Sequence, residues 1–178
     1  VICKETLKWE QAGEIFTAAI LSFESGNEEY IETVQCAGSS DPELSRGIIS
    51  ALGWLSYLRV EKLIHNCLNS EVHELKLIGI RAIAIHRECP GTILKIGLSS
   101  SDPNLNARAL KAIGELGNTE YAALVNDHLN NENEKCRFYA AWSISLLGNL
   151  AGLPILKNIA EEGSPYAERA WSLAMRRM

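Results

Sequence analysis

The sequence predicts an all-α protein built as a short array of helical hairpins. Three observations support this prediction: a composition that favours helices, a repeat close to 31 residues, and helix-capping residues at fixed places in that repeat. Of the 178 residues, 47% are hydrophobic and only 7% are aromatic. Ala, Leu and Ile are the main apolar types, which is typical of helices that pack closely through small side chains.

A four-residue motif recurs along the chain at steps of 31, 30 and 31 residues. Its second column holds Ala or Ser, its third Leu or Ile, and its fourth Gly, Ala or Ser. A repeat of this length is typical of solenoids, in which each unit buries its apolar face against its neighbours. The four copies are Ser50–Gly53, Arg81–Ala84, Lys111–Gly114 and Trp142–Ser145.

A second apolar pattern follows each copy of the motif at a constant distance. Apolar residues at i, i+1, i+4 and i+5 mark one face of a helix, so each unit is predicted to contain two helices. The pattern consists of Leu63-Ile64, Ile93-Leu94, Leu124-Val125 and Ile155-Leu156, followed by Cys67-Leu68, Gly97-Leu98, His128-Leu129 and Ile159-Ala160.

Turn and capping residues agree with this division into helices. Asp41-Pro42 and Asp102-Pro103 place a capping Asp before a proline at the first helical position, where the missing N–H costs nothing. We therefore expect a first helix to begin at each pair. Gly117 and Gly148 follow the predicted ends of first helices, where the left-handed conformation closes a helix. Pro90-Gly91 is expected to close the first helix of the second repeat in the same way.

These signals predict a single domain over residues 1–178. The first hairpin is irregular, because Glu32 stands where its second helix should be apolar, and the last half-repeat has no second helix. The predicted ranges are 5–37 for the first hairpin, 41–69, 71–99, 102–130 and 134–161 for the four repeats, and 164–178 for the half-repeat.

The charge of the chain narrows the classes of partner. The net charge is −5, and an acidic chain repels polyanions, so no nucleic-acid partner is expected. The basic cluster of Arg169, Arg176 and Arg177 also suits the last turn of a helix. No apolar stretch reaches the roughly 18 residues of a membrane span, so no membrane partner is expected.

The cysteines point to a reducing compartment. Their number is odd and no C-x-x-C pair occurs, which favours neither a disulfide framework nor a thiolate metal site. We expect a soluble, cytoplasmic protein. Helix-like sequence almost from Val1 is compatible with a place in a longer chain or a larger assembly. The five cysteines are Cys3, Cys36, Cys67, Cys89 and Cys136.

The third repeat carries the clearest likeness to a known family. Asp102-Pro103, the run Ala107–Asn118 and Ala122–Val125 together resemble the HEAT repeat in its short bacterial form, the phycobilin-lyase-type HEAT-like repeat. The likeness extends over residues 39–161. It implies a right-handed α-α superhelix, an armadillo-like solenoid of antiparallel helix pairs. Such repeats occur in unrelated proteins, so the fold alone assigns no activity.

Three active relatives with HEAT-like repeats can be compared with this chain. Deoxyhypusine hydroxylase-like proteins carry several His-Glu pairs for two irons, whereas only His73-Glu74 occurs here. HEAT-like DNA glycosylases need a basic groove with aromatics, which the acidic charge disfavours. Bilin lyases share the repeat, but no tetrapyrrole-handling motif is visible. We therefore expect a non-catalytic protein-interaction scaffold without a cofactor, and a bilin-lyase-like or metal-dependent enzyme is the alternative.

Reactive side chains show no catalytic or metal-binding pattern. There is no G-x-S-x-G elbow, Gly-rich phosphate loop or catalytic cysteine signature, so no catalytic residue and no metal ligand is predicted. His128 falls in a core column and is expected to be a satisfied interior imidazole. Cys36 and Cys67 share a column of adjacent repeats and are expected to be small buried side chains.

Tryptophans are candidate core or contact residues. Trp142 and Trp171 share a first-helix column and are predicted to lie in the core. Trp54 aligns with Glu115, which predicts a less buried position. Both edge packing and a contact with a partner remain open for Trp54.

The second helices line the concave surface of helical solenoids, so their exposed columns form the candidate partner site. A mixed polar, weakly basic ridge suits a peptide or protein, because Asn can hydrogen-bond an extended backbone. A solvated helix face is the alternative. The predicted partner-binding residues are His65, Lys95, Asn126 and Lys157 in one column, and Asn66, Asp127 and Asn158 in the next, which also contains Ile96.

Overall fold

The computed structural model describes residues 11–88 and 91–177. Within these residues the regular elements are α-helices and short 3₁₀ segments, without a strand, so the predicted all-α fold is confirmed. The chain divides into two compact units, Val1–His86 and Arg87–Met178, which we describe separately. The single domain and the repeat boundaries given above stay predictions.

The first unit contains five described helices that pack in neighbouring pairs. They are α1 (Ala12–Ser25), α2 (Glu28–Ser39), α3 (Pro42–Trp54), α4 (Tyr57–Asn69) and α5 (His73–His86). Helix α1 packs against α2 and α3, while α5 packs against α3 and α4. The helices pair because each buries one apolar face, and the fully buried side chains include Ile48, Leu52, Ile64 and Ile78.

The second unit is also a set of paired helices, in which the second helix of a pair is often short. The main pairs are α7 with α9, α6 with α7, and α10 with α11. Helix α9 also packs against the 3₁₀ segments beside α8 and α10. The elements are α6 (Thr92–Leu98), α7 (Pro103–Leu116), α8 (Ala122–Asp127) between 3₁₀ segments Thr119–Tyr121 and His128–Asn130, α9 (Glu134–Leu146), the 3₁₀ segment Leu150–Gly152, α10 (Leu153–Glu161) and α11 (Ala167–Arg177).

Helix starts follow the predicted capping residues. The carboxylates of Asp41 and Asp102 accept hydrogen bonds from the backbone N–H groups of Glu43 and Asn104, at 2.6 and 2.9 Å. Pro42 and Pro103 occupy the first positions of α3 and α7. Each Asp therefore satisfies a backbone donor that the helix itself leaves unpaired.

Helix ends agree with the prediction at two of three places. Gly117 and Gly148 have φ of 68° and 90°, so both take the left-handed conformation predicted for them. Pro90-Gly91 was expected to follow the end of a first helix and close it, and this prediction is wrong. Gly91 has φ of 55°, but it precedes α6, and Arg87 follows the last residue of α5 with φ of 58°. Pro90 lies outside the described residues.

Small side chains let first helices approach one another closely, as the Ala/Gly/Ser columns predict. A Cβ atom at Gly114 of α7 would lie 2.8 Å from the Cα of Ser143 in α9. The Ser143 hydroxyl donates to the carbonyl of Leu110 at 2.7 Å, also between these helices. At Gly47 of α3, an added Cβ would lie 2.8 Å from the Cβ of Ile15 in α1.

Candidate partner-binding surface

Exposed side chains of α6, α8 and α10 form the candidate site in the second unit. We call this set the second-helix surface. It comprises Lys95 and Ile96 on α6, Asn126 and Asp127 on α8, and Lys157 and Asn158 on α10, and all six side chains are exposed. They lie on these helices because the intervening residues Leu94, Val125 and Leu156 are buried and fix which face points outward.

One cation of the second-helix surface lies over an aromatic ring. The ammonium of Lys95 lies 5.9 Å from the ring centroid of Tyr121, within the range of a cation–π interaction. The Tyr121 ring is only 5% exposed, and its hydroxyl donates to the carbonyl of Gly91 at 2.7 Å. The buried Tyr121 ring, which follows α7 in the chain, therefore contacts both Lys95 and Gly91, which precede α7.

The repeat pattern does not predict that Tyr121 contributes to this surface. The residue aligns with Gly152 in the next repeat, so no column of the repeat marks it as a support for Lys95. The available signal was local: a tyrosine five residues before a predicted site residue, Asn126, at the start of a short second helix.

Apolar side chains extend the second-helix surface. Ile96 is 59% exposed and Leu124 is 39% exposed. Leu124 belongs to the predicted apolar pattern, yet it is only partly covered, so an apolar side chain lies beside the polar ones.

Polar groups of the second-helix surface are available to a partner. Among the described residues, the side chains of Asn126, Lys157 and Asn158 form no hydrogen bond or ion pair. An amide can donate and accept, and an ammonium donates in three directions. The surface therefore offers unpaired donors and acceptors to a partner.

The remaining predicted site residues, His65 and Asn66, lie in the first unit. Both belong to α4, where His65 is half-buried and Asn66 is exposed. Their helix buries Val60, Ile64 and Cys67, which leaves His65 and Asn66 toward its outer side. The structure brings Lys95 together with Tyr121, whereas His65 and Asn66 are described only within their own unit.

Histidines outside the candidate site have structural partners. The His86 ring lies 5.4 Å from that of Tyr57, and its Nε2 donates to the carbonyl of Leu52 at 2.8 Å. His128 is half-buried, and its Nδ1 accepts a hydrogen bond from the Asn131 amide at 3.2 Å. Burial lowers the pKa of His128, against a smaller opposite effect of Asp127. His128 is thus a hydrogen-bonded imidazole, as predicted, although it is less deeply buried than its column suggested.

The cysteines of the shared column differ from each other. Cys67 is buried, and burial raises the pKa of its thiol to about 12, so it stays protonated at neutral pH. The Gln35 side-chain amide donates to the Cys67 sulfur at 3.5 Å. Cys36 is exposed, so the prediction of a buried side chain is wrong there. Cys3 and Cys89 lie outside the described residues.

Tryptophan positions correct one prediction. Trp54 is 77% exposed, as its alignment predicts, and meets the Phe16 ring edge-to-face at 6.4 Å. Trp142 is half-buried. Trp171 is 55% exposed, so its predicted core position is wrong. The reason is that α11 packs through Ala170 and Ala174, and nothing in the described chain covers its other side.

The described residues contain no metal-ligand cluster and no helix that could span a membrane. Across 11–88 and 91–177, no three His, Cys, Asp or Glu residues are grouped in a way that could hold a metal ion. No described helix is both long enough and apolar enough to cross a membrane.

The helix pairs of the second unit have a counterpart among known families. Residues 92–175 match the family model of HEAT repeats. This segment belongs to the HEAT-repeat family. The matched HEAT segment begins with α6 and ends within α11, so it contains every residue of the second-helix surface. HEAT repeats are commonly non-catalytic scaffolds for protein interactions. No curated protein matches this chain.

Proposed function

We propose that this HEAT-repeat chain is a non-catalytic scaffold that binds a peptide or protein along its second-helix surface. The observation that carries the proposal is the position of Lys95, whose ammonium lies over the buried ring of Tyr121 and next in sequence to the exposed Ile96. A ring contact that favours one position of the lysine reduces the entropy that the side chain loses when a partner binds. An ordered cation beside an apolar contact is therefore a favourable anchor.

The chemistry of the surface suits a polypeptide. The free amides of Asn126 and Asn158 can each donate to and accept from an extended backbone. Ile96 and Leu124 offer apolar contact, and Lys95 and Lys157 can pair with carboxylates. His65 and Asn66 are proposed to contact the partner from the first unit.

The acidic net charge supports a protein partner over nucleic acid, because a polyanion would be repelled by the chain as a whole. The odd number of cysteines supports a cytoplasmic location. The likeness to short bacterial repeats supports a bacterial source. No observation favours the bilin-lyase-like or metal-dependent enzyme over the scaffold.

A pull-down with matched charge variants tests the proposal. Wild-type chain and a Lys95→Glu, Lys157→Glu double variant are immobilised, exposed to lysate of the source organism, and compared by mass spectrometry. The control is Arg46→Glu, Lys135→Glu, which changes net charge equally on first helices. The proposal expects a protein captured by wild type and control and lost from the double variant.

Two outcomes of the pull-down would contradict the proposal. If the double variant stays helical by circular dichroism and retains the captured protein, the second-helix surface is not the binding site. If the control loses the protein as well, binding follows net charge and not this surface.

A further inference from the structure

Cations on the first and second helices of the second unit differ in their surroundings. Every cationic side chain on α7 and α9 binds an acceptor within the unit. The pairs are Arg108 with Glu115 at 2.7 Å, Lys111 with Glu115 at 3.5 Å, Lys135 with the Asn104 side chain at 2.7 Å, and Arg137 with the backbone carbonyl of Asn131 at 2.8 Å. On the second helices α6 and α10, by contrast, the ammonium groups of Lys95 and Lys157 bind no oxygen acceptor among the described residues. These two groups therefore keep their N–H donors for an acceptor outside the chain.

Lys157 has no ion-pair partner although a carboxylate lies one turn further along its helix. Glu161 follows Lys157 at i+4 in α10, and both side chains are exposed. A Lys that precedes a Glu at this spacing is the weaker order for an ion pair, and the two residues form none in the described structure. Lys95 contacts an uncharged ring, that of Tyr121, so its charge is not neutralised either. Both cations are thus complementary in charge to carboxylates of a partner.

The surface between these two lysines is neutral or acidic. Asn126 of α8 stands in the same column as Lys95 and Lys157, and the exposed Asp127 follows it. Asp127 forms no ion pair with another described residue, so it would repel an acidic side chain placed over α8. A segment that fits this surface therefore has acids toward its ends and a neutral or basic side chain at its centre.

The repeat sets the spacing between those acids. Lys95, Asn126 and Lys157 follow one another at steps of 31 residues, one in each repeat. Helices that pack side by side lie about 8–10 Å apart, so two steps from α6 to α10 cover roughly 16–20 Å. An extended chain advances about 3.3 Å per residue, so roughly five or six residues of a bound segment cover this distance.

We propose that the partner of the second-helix surface presents an extended segment with two carboxylates about six residues apart and a neutral or basic centre. This inference rests on the proposed function and specifies the chemistry of its partner. One carboxylate pairs with Lys95 and the other with Lys157, while the backbone between them passes the Asn126 amide. Ile96, next to Lys95 in sequence and 59% exposed, offers an apolar contact at one end of the segment.

Fluorescence anisotropy of labelled synthetic peptides with the wild-type chain tests the spacing. Three peptides of equal length are compared: one with two glutamates about six residues apart, one with the two glutamates adjacent, and one with glutamine in place of both. The spaced peptide should bind about tenfold or more tightly than the other two, and added salt should reduce the difference. A spaced peptide that binds no more tightly than the adjacent or the glutamine peptide would overturn the proposal.

Charge exchange tests the two contacts themselves. The Lys95→Glu, Lys157→Glu variant should lose the spaced glutamate peptide and should bind instead a peptide with lysines at the same two places. The Arg46→Glu, Lys135→Glu control changes net charge equally on first helices, and it should bind the glutamate peptide like wild type. A double variant that stays helical by circular dichroism and prefers the glutamate peptide to the lysine peptide would contradict the assignment.

Failure of this inference can be told from failure of the proposed function. If the pull-down yields a protein that depends on Lys95 and Lys157, but the spaced peptide has no advantage, the acidic segment is wrong and the scaffold function stands. If the captured protein does not depend on these lysines, the second-helix surface is not the binding site and both proposals are wrong.

Discussion

Replacing Gly114 by Ala separates packing from helix propensity in the contact between α7 and α9. Ala is favoured over Gly inside a helix by about 1 kcal/mol, so propensity alone predicts a more stable protein. The structure predicts the opposite, because the new Cβ would lie 2.8 Å from the Cα of Ser143. That atom belongs to the backbone of α9 and cannot rotate away. Overpacking of this kind costs about 1–3 kcal/mol, so Gly114→Ala should be less stable by about 1 kcal/mol net.

Urea unfolding followed by circular dichroism measures this difference. Gly13→Ala is the matched control, because Gly13 lies in α1 and an added Cβ there meets nothing within 4 Å. The control should unfold at the same or a higher urea concentration than wild type. A Gly114→Ala variant that is as stable as wild type would refute the close approach of α7 and α9.

Three further changes test other parts of the structure by urea or thermal unfolding. Arg87→Gly should stabilise the chain by about 1 kcal/mol, because a left-handed φ is unfavourable for any residue with a Cβ; an unchanged or lower midpoint would contradict the observed backbone. Burial raises the pKa of the Cys67 thiol from 9.0 to about 12, so the stability from the neutral thiol is present below pH 9 and lost as pH rises toward 12. Between pH 9 and pH 12 the free energy of unfolding of wild type should therefore fall by about 1.4 kcal/mol per pH unit more than that of Cys67→Ala. If the two free energies change with pH in parallel, the Cys67 thiol is not buried as described. Ala112→Arg or Ile113→Asp should abolish the folded state, because both positions are fully buried and an unpaired buried charge is very costly; wild-type melting of either variant would show that the repeat register is wrong.

Local rules predicted the helix boundaries where one residue decides the geometry. Asp41 and Asp102 cap their helices because an Asp side chain reaches the backbone donors of the first turn without help from distant residues. Gly117 closes α7 because glycine takes a positive φ at little cost. Local rules failed at the end of α5, where Arg87 takes the left-handed conformation that a sequence pattern assigns to glycine.

The exposure of a side chain was harder to predict than the position of its helix, because exposure depends on which other helices pack against that residue. Trp142 and Trp171 occupy the same column, yet Trp142 is half-buried beside the ring of Tyr139, whereas Trp171 is 55% exposed. Cys36 and Cys67 also share a column and differ in burial. A repeat pattern assumes that all residues of one column have the same surroundings, and the described structure gives these residues different ones.

The sequence predicts which residues of the candidate site are exposed, but it does not predict that the ring of Tyr121 lies beneath Lys95. Column alignment selected Lys95, Asn126 and Lys157 because buried neighbours fix the outward face of a helix. The cation–π contact between Lys95 and Tyr121 depends on two elements on either side of α7, and no single-helix pattern contains it. Tertiary structure was needed to find the anchor on which the proposed function rests.

The most direct test of the scaffold function is the affinity of the captured partner for three forms of the chain, measured by titration calorimetry. The Lys95→Glu, Lys157→Glu variant should bind about tenfold or more weakly than wild type, because both cations of the second-helix surface are reversed. The Arg46→Glu, Lys135→Glu control should bind like wild type. Equal affinities for wild type and the Lys95→Glu, Lys157→Glu variant would contradict the assignment of the second-helix surface as the partner site.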